Sequence, residues 1–218
     1  MRLVLLADTH TFQADLAGKI PDGDVLVHAG DLGRAGDEAE LTEVAAWLRA
    51  LPHPHKVVVP GNHDALFEDE PGLAREIFRG LVVLIDEETR VAGLRVYGSP
   101  WTPRYHSWSF MKARGAPLAA VWARVPYGLD LLVTHGPPKG VLDDASSYRG
   151  GSWAGPELAG CEELARRVAL VRPRVHVFGH IHGRQGVVDK DGTRFVNCTT
   201  SEAEQAPLVL EIEPPAAA

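Results

Sequence analysis

Cysteine is nearly absent. Cys161 and Cys198 are the only two in 218 residues, too few for the disulfide framework of a small secreted domain. A reduced, cytoplasmic chain is the expected setting. Long apolar runs are missing too. None approaches the roughly 18 residues that cross a bilayer, so no membrane partner is expected. The first run, Leu3–Ala7, stops at Asp8 and is too short for the apolar core of a secretory leader. There is no basic surplus: Lys and Arg number 22 against 29 Asp and Glu, a net charge of −7. That balance speaks against stable nucleic-acid binding. Wholesale disorder is excluded by 45% hydrophobic and 23% charged residues. A chain of this length buries roughly 70% of its unfolded surface, so its core needs neither a disulfide nor a structural metal.

What the chain does have is a series of short runs rich in Val and Leu: Leu3–Ala7, Val25–Ala29, Lys56–Val59, Leu129–Val133 and Val175–Phe178. Runs of about five apolar residues without alternation predict strands covered on both faces, the mark of an α/β sheet. Helical stripes lie between them over Asp37–Leu51 and Pro156–Val171, with weaker ones over Leu73–Arg79 and Leu118–Arg124. Asp191-Gly192 predicts a tight turn between strands Gly186–Asp189 and Thr193–Asn197, and Leu208–Ile212 reads as a last strand. One domain over residues 1–212 is expected, followed by a frayed C-terminal tail at 213–218. The Gly/Ser/Pro-rich stretch from Gly136 to Pro156 reads as a long active-site loop.

Ten histidines are an unusually high count, and their positions matter more than their number. Each of the five apolar runs ends in Asp, Asn or His. In an open α/β sheet, ligands bind at the carboxyl ends of the strands. Asp8, His10, Asp31, Asn62, His63, His135, His180 and His182 are therefore predicted to converge on one rim. Imidazole and carboxylate without thiolate suit Mn, Fe, Zn or Ni. So many donors exceed what one ion needs, and two ions sharing a carboxylate would use them.

The ordered blocks Asp8-x-His10, Gly30-Asp31, Gly61-Asn62-His63-Asp64, His135 after a strand, and Gly179-His180-x-His182 resemble the calcineurin-like metallophosphoesterase superfamily. Gly98-Ser99-Pro100-Trp101, Thr134-His135-Gly136-Pro137-Pro138 and His176-Val177-Phe178-Gly179-His180-Ile181-His182 further resemble its small metallophosphoesterase-domain phosphodiesterases, first named as brain proteins. The resemblance implies a four-layer α/β/β/α sandwich, with two mixed β-sheets flanked by helices. It implies a first divalent ion on Asp8, His10 and His182, a second on Asn62, His135 and His180, and Asp31 bridging both. Some members of the subgroup lack the histidine that stands here as His180. Manganese is the first candidate ion, with Fe, Zn, Ni or Mg also admissible. His63 would stay off the metals as general acid or phosphate contact, and Asp64 would orient it.

The activity implied is hydrolysis of small nucleotide phosphodiesters, 2′,3′-cyclic nucleotides first, by in-line attack of a bridging hydroxide. A phosphomonoesterase or nuclease with the same centre, or a nucleotide-binding regulatory protein with little turnover, are the alternatives. Outside the motif, Trp101, Tyr105, Trp108 and Phe110 form either a local apolar cluster or a surface that stacks a nucleobase. Arg104, Lys139 and Arg149 lie in expected rim loops and are candidate phosphate contacts. His28 and His176 sit inside apolar runs and are read as buried and hydrogen-bonded, Cys161 as core. The sequence does not indicate an oligomeric state.

Overall fold

The computed structural model describes residues 1–146 and 158–213. The first sheet holds β1 (Arg2–Leu6), β2 (Val25–His28), β3 (His55–Val58) and β4 (Val82–Val83), all parallel, with β13 (Leu208–Glu211) antiparallel on β1. The second is ordered β11 (Gly186–Lys190), β12 (Thr193–Asn197), β10 (Val175–Phe178), β9 (Leu131–Thr134), β6 (Leu94–Ser99), β5 (Glu87–Val91). Its four central strands are parallel and its two edge strands antiparallel. A two-stranded ribbon, β7 (Thr102–Pro103) with β8 (Met111–Lys112), stands apart. The helices are α1 (Glu38–Ala50), α2 (Leu66–Asp69), α3 (Pro71–Ile77), α4 (Ala116–Trp122) and α5 (Glu162–Val171).

The pleat explains why the strand runs are apolar throughout. Along β1, Leu3 and Leu5 point into a central core shared with Val25, Val27 and Val57 and, from the other sheet, Val96, Val133 and Val177. Val4 and Leu6 point the opposite way, onto Leu41, Val44 and Leu48 of α1 and Phe67 and Phe78 near α2 and α3. The second sheet repeats the scheme: its outer face sets Tyr97, Leu132 and Phe178 against Leu118 and Trp122 of α4 and Leu164 and Val168 of α5. Three apolar layers between four structural layers give the α/β/β/α sandwich. Each fully buried Val or Leu contributes about 1.5–3 kcal/mol.

The two sheets are tied at their carboxyl edge. Ala7, just past β1, bridges Thr199, just past β12. The Thr200 N–H and hydroxyl both donate to the Ala7 carbonyl at 2.8 Å. The carboxyl ends of the parallel strands in both sheets therefore open onto one rim.

Three expectations need correction. Helix α5 starts at Glu162 rather than Pro156: Cys161 is its N-cap, and Leu158 is 47% exposed in a bridge with Asp144. Pro156 lies outside the described residues, as do Arg149, the 147–156 part of the expected loop, and the tail from 214 on. The β5–β6 hairpin was not foreseen, because β5 (Glu-Glu-Thr-Arg-Val) is a charged edge strand. Its turn puts Ala92 and Gly93 at φ of 49° and 86° where Asn-Gly is the usual signal. The loop after His135 turns back through a Pro138–Cys161 bridge, so of its described residues Ala145 lines the site cavity.

Candidate metal centre

Asp8 and His10 follow β1, Asp31 follows β2, Asn62 to Asp64 follow β3, His135 follows β9, and His180 and His182 follow β10. Asp8, His10, Asp31 and His180 adopt left-handed backbone, with φ of 56°, 43°, 55° and 69°. Each costs a non-glycine residue roughly 1–2 kcal/mol. Such strain persists only where the surroundings enforce it, and it concentrates at functional sites. Here it folds the chain back over the sheet edge, so that acidic and imidazole groups face one another. Two glycines make the room: a Cβ on Gly61 would lie 2.2 Å from Asp31 Oδ1, and one on Gly179 would lie 2.6 Å from Asp8 Oδ2.

Among the described residues the donor atoms gather into three groups, of which His10, Asp31 and His63 form the one that joins the other two. Asp8, His10 and His182 offer atoms within 4.8 Å of one another, and so do Asp31, His135 and His180. Asp31 is 2% exposed and divided between them: its Oδ2 lies 3.6 Å from His10 Nε2 and its Oδ1 3.3 Å from His135 Nε2. Asn62 Oδ1 lies 3.0 Å from His135 Nε2, joining the second group. Backbone contacts aim the rings. His10 Nδ1 donates to the Gly33 carbonyl at 3.1 Å and His135 Nδ1 to the Ala29 carbonyl at 2.9 Å. The Nε2 atoms are thereby turned toward the carboxylates. Asp8 accepts the His180 N–H at 3.0 Å.

This donor set fits divalent cations. Around His135 Nε2, Asn62 Oδ1, Asp31 Oδ1 and His180 Nδ1 all lie within 3.3 Å, and the buried Asn62 Nδ2 has no hydrogen-bond partner. An imidazole nitrogen, an amide oxygen and a carboxylate oxygen gathered this closely offer a divalent ion its usual donors. Burial pulls the His135 pKa down, but the Asp31 charge and hydrogen bond override this and raise it to about 9. Burial works the other way on Asp31, yet the histidines around it, His135 foremost, hold it well below the usual carboxylate range. Burial and then His135 press His180 far below the ordinary imidazole value, and burial lowers His10 against the pull of Asp31 and Asp8. Neutral imidazole is the form that binds metal.

His63 is half-buried beside this centre. Its Nδ1 donates to the Arg34 carbonyl at 2.7 Å, its backbone N–H donates to Asp31 Oδ1 at 2.9 Å, and its ring lies 4.2 Å from that of Trp108. Asp64 does not orient it, contrary to expectation. The Asp64 carboxylate is spent on the backbone N–H groups of Leu32, Gly33 and Gly61, at 2.9, 2.9 and 2.7 Å. It thus clamps the loops after β2 and β3 together. Burial, then the Asp31 charge, push its pKa up to about 7 against those three donors.

A cavity of about 400 Å³ opens over the centre, lined by His10, Asp31, Asn62, His63, His180 and His182 and walled by Tyr105, His106 and Trp108. The aromatic segment therefore divides. Trp108 faces the cavity at 42% exposure, whereas Trp101 packs edge-on to Phe110, donates from Nε1 to Asp86 at 2.8 Å and carries Lys112 over its ring. Arg104 is occupied by the Met111 carbonyl and Lys139 by Glu162, both away from the cavity. Trp101, Arg104 and Lys139 are thus not placed as substrate contacts. Arg34, His106 and Glu202 do line the cavity and escaped the sequence reading. Arg34 stands three residues after Asp31, a proximity that could have flagged it. Glu202 carried no signal.

Comparison with known proteins places this arrangement in context. The profile of the family described as "Calcineurin-like phosphoesterase" matches residues 1–184. The human metallophosphoesterase domain-containing protein 1 is 34% identical over an alignment covering 98% of this chain and 72% of that protein. A UPF0046 protein of Caenorhabditis elegans is 33% identical, with coverage of 99% and 82%. Among solved structures, the phosphopantetheinyl hydrolase of Mycobacterium tuberculosis superposes with a TM-score of 0.59 at 18% identity, covering 90% of this chain and 88% of that one.

Proposed function

The chain belongs to the calcineurin-like phosphoesterase family, and from that premise we propose that it is a cytoplasmic two-metal phosphodiesterase acting on small nucleotide phosphodiesters. The observation that carries this reading is the divided carboxylate of Asp31, with one oxygen facing His10 and the other His135. Asp8, His10 and His182 would hold one divalent ion, Asn62, His135 and His180 the other, and Asp31 both, with manganese the first ion to try. Ions so held supply Lewis-acid activation of water and of a phosphoryl oxygen.

The chain's own residues do the rest. The carbonyls of Gly33 and Ala29 fix the ring orientations of His10 and His135, so the donors are set before substrate arrives. Asp64 keeps the β2 and β3 loops in register, which holds Asp31 against Asn62. His63, anchored through Nδ1 and backed by Trp108, would give a proton to the leaving oxygen. The Tyr105–Trp108 wall offers aromatic faces to a base, with the ring centroids 5.4 Å apart. The cavity of about 400 Å³ suits a mononucleotide-sized ligand.

The test is a metal-reconstituted panel of bis-p-nitrophenyl phosphate, p-nitrophenyl phosphate, 2′,3′- and 3′,5′-cyclic nucleotides, and single-stranded nucleic acid. Faster manganese-dependent turnover of the diesters is expected. Faster monoester turnover would convert the assignment to a phosphomonoesterase. Nucleotide binding with no turnover under any metal would make the protein a sensor rather than an enzyme.

A further inference from the structure

Among the described residues, Arg34 is the one arginine whose guanidinium makes neither a hydrogen bond nor an ion pair. Its guanidinium lies over the face of the Phe12 ring, 5.6 Å away. The other described arginines are engaged, by carboxylates as in Arg95–Glu88 and Arg174–Asp130 or by carbonyls as in Arg114–Gly160. The main chain at Arg34 is nonetheless fixed. Its N–H donates to Glu40 Oε2 at 2.9 Å, alongside those of Ala35 and Gly36, and its carbonyl accepts a hydrogen bond from His63 Nδ1. An immobilised backbone thus presents a charged side chain with no protein partner.

Its surroundings give that side chain a use. The cavity over the metal centre meets a second one of about 470 Å³, and Arg34, Asn62, His63 and Trp108 line both. Among the described residues, Arg34 is the one lysine or arginine on either wall. The second cavity also carries Ser107, Ser109, Glu68 and Asp69, beside the small apolar Ala35 and Ala65. Glu68 already accepts the Phe110 N–H at 2.6 Å. A substrate cleaved at the centre has its leaving arm beside His63, and past His63 that arm meets Arg34.

We propose that Arg34 is a subsite for a second phosphate, carried by the substrate on its leaving-group side. The substrate class is then a nucleotide with a phosphate group beyond the one being cleaved. A guanidinium offers several donors in a planar fork that matches phosphate oxygens, and such charge-assisted pairs are stronger than neutral ones. This inference rests on the phosphoesterase reading for its orientation but not for its measurement.

The experiment is calorimetric binding of adenosine 3′,5′-bisphosphate and of the 3′- and 5′-monophosphates to the manganese-loaded protein. Wild type is expected to bind the bisphosphate about tenfold more tightly than the better monophosphate. In Arg34→Met the ratio falls toward one, and in Arg34→Lys part of it returns. The Arg34 carbonyl that holds His63 is preserved in both variants. Equal affinities in wild type would overturn the subsite, and so would a ratio that survives Arg34→Met. Turnover of bis-p-nitrophenyl phosphate, which lacks a second phosphate, is measured in parallel. A tenfold ratio without diester turnover would sink the phosphodiesterase reading and leave the subsite standing. Turnover with equal affinities would do the reverse.

Discussion

Two sets of buried histidines separate the interior of the sandwich from its rim. His28 on β2 and His176 on β10 are fully buried, and burial pushes both down to about 3. Each has one ring nitrogen on a threonine hydroxyl, Thr9 at 3.0 Å and Thr134 at 2.9 Å, and an Nδ1 without a partner. A residue or two further along, at the rim, His10 and His135 are almost as buried, but a backbone carbonyl occupies Nδ1 and the other nitrogen confronts carboxylates. Burial alone makes an imidazole neutral and inert. Burial together with an opposed carboxylate makes it part of a cation site. If this contrast is right, substitutions at the rim remove metal and activity, and substitutions inside change only stability.

The sharpest break is Asp31→Ala. One carboxylate faces both donor groups, so its loss is expected to reduce bound metal from two ions to fewer than one per chain and kcat/KM by at least about 1,000-fold. Elemental analysis after gel filtration reads the first effect. A variant that kept two ions would show that Asp31 does not join the groups. His63→Ala comes next. It should keep its metals and lose about 100-fold or more on alkyl leaving groups, far less on p-nitrophenolate, which needs little protonation. Because a ring nitrogen of His63 also lies within 4.8 Å of donor atoms on His10 and Asp31, metal analysis of this variant decides between ligand and acid. Loss of an ion would make His63 a ligand.

Much of this rim was readable in the sequence because strand ends are punctuated. An apolar run covered on both faces can hold a neutral, hydrogen-bonded histidine, as at His28 and His176, but it has no place for an ionised Asp until it leaves the sheet, and Asp8, Asp31, Asn62, His135 and His180 mark where strands stop. The clamp by Asp64 was not readable: a carboxylate beside a histidine in sequence need not face it in space, and here three backbone N–H groups claim it. Lys139 misled for a related reason, since the glutamate that neutralises it, Glu162, is distant in sequence. The β5–β6 hairpin was missed because a charged edge strand shows neither an apolar run nor a usual turn pair.

The interior histidines predict a pH effect whose sign follows from their neutral folded state. A lowered folded pKa means the unfolded chain binds the proton that the folded chain refuses, so stability falls as pH drops below 6.5 and continues falling to about 3. Each such histidine contributes a slope of about 1.4 kcal/mol per pH unit in that window, a tenfold change in the folding constant. Urea unfolding of the metal-free protein at stepped pH measures it. His176→Gln, which can still pair with Thr134, should reduce the slope by one histidine's share while leaving metal content at two ions. An unchanged slope would mean His176 titrates in the folded protein.

The smallest effect sits at the outer wall of the rim, at Trp108. Its ring stands 4.2 Å from His63 on one side and faces the cavity with 42% exposure on the other. If that face stacks a base, Trp108→Ala should raise KM for nucleotides about three- to tenfold, within the range expected for one aromatic–base contact, and should barely change KM for bis-p-nitrophenyl phosphate. Trp108→Phe should recover most of the loss, because a smaller ring still offers a face. The alternative is that Trp108 serves only to hold the His63 ring. In that case kcat would fall on alkyl leaving groups for every substrate, nucleotide or not, with KM unchanged. The split between KM and kcat therefore assigns the indole either to the substrate or to the acid.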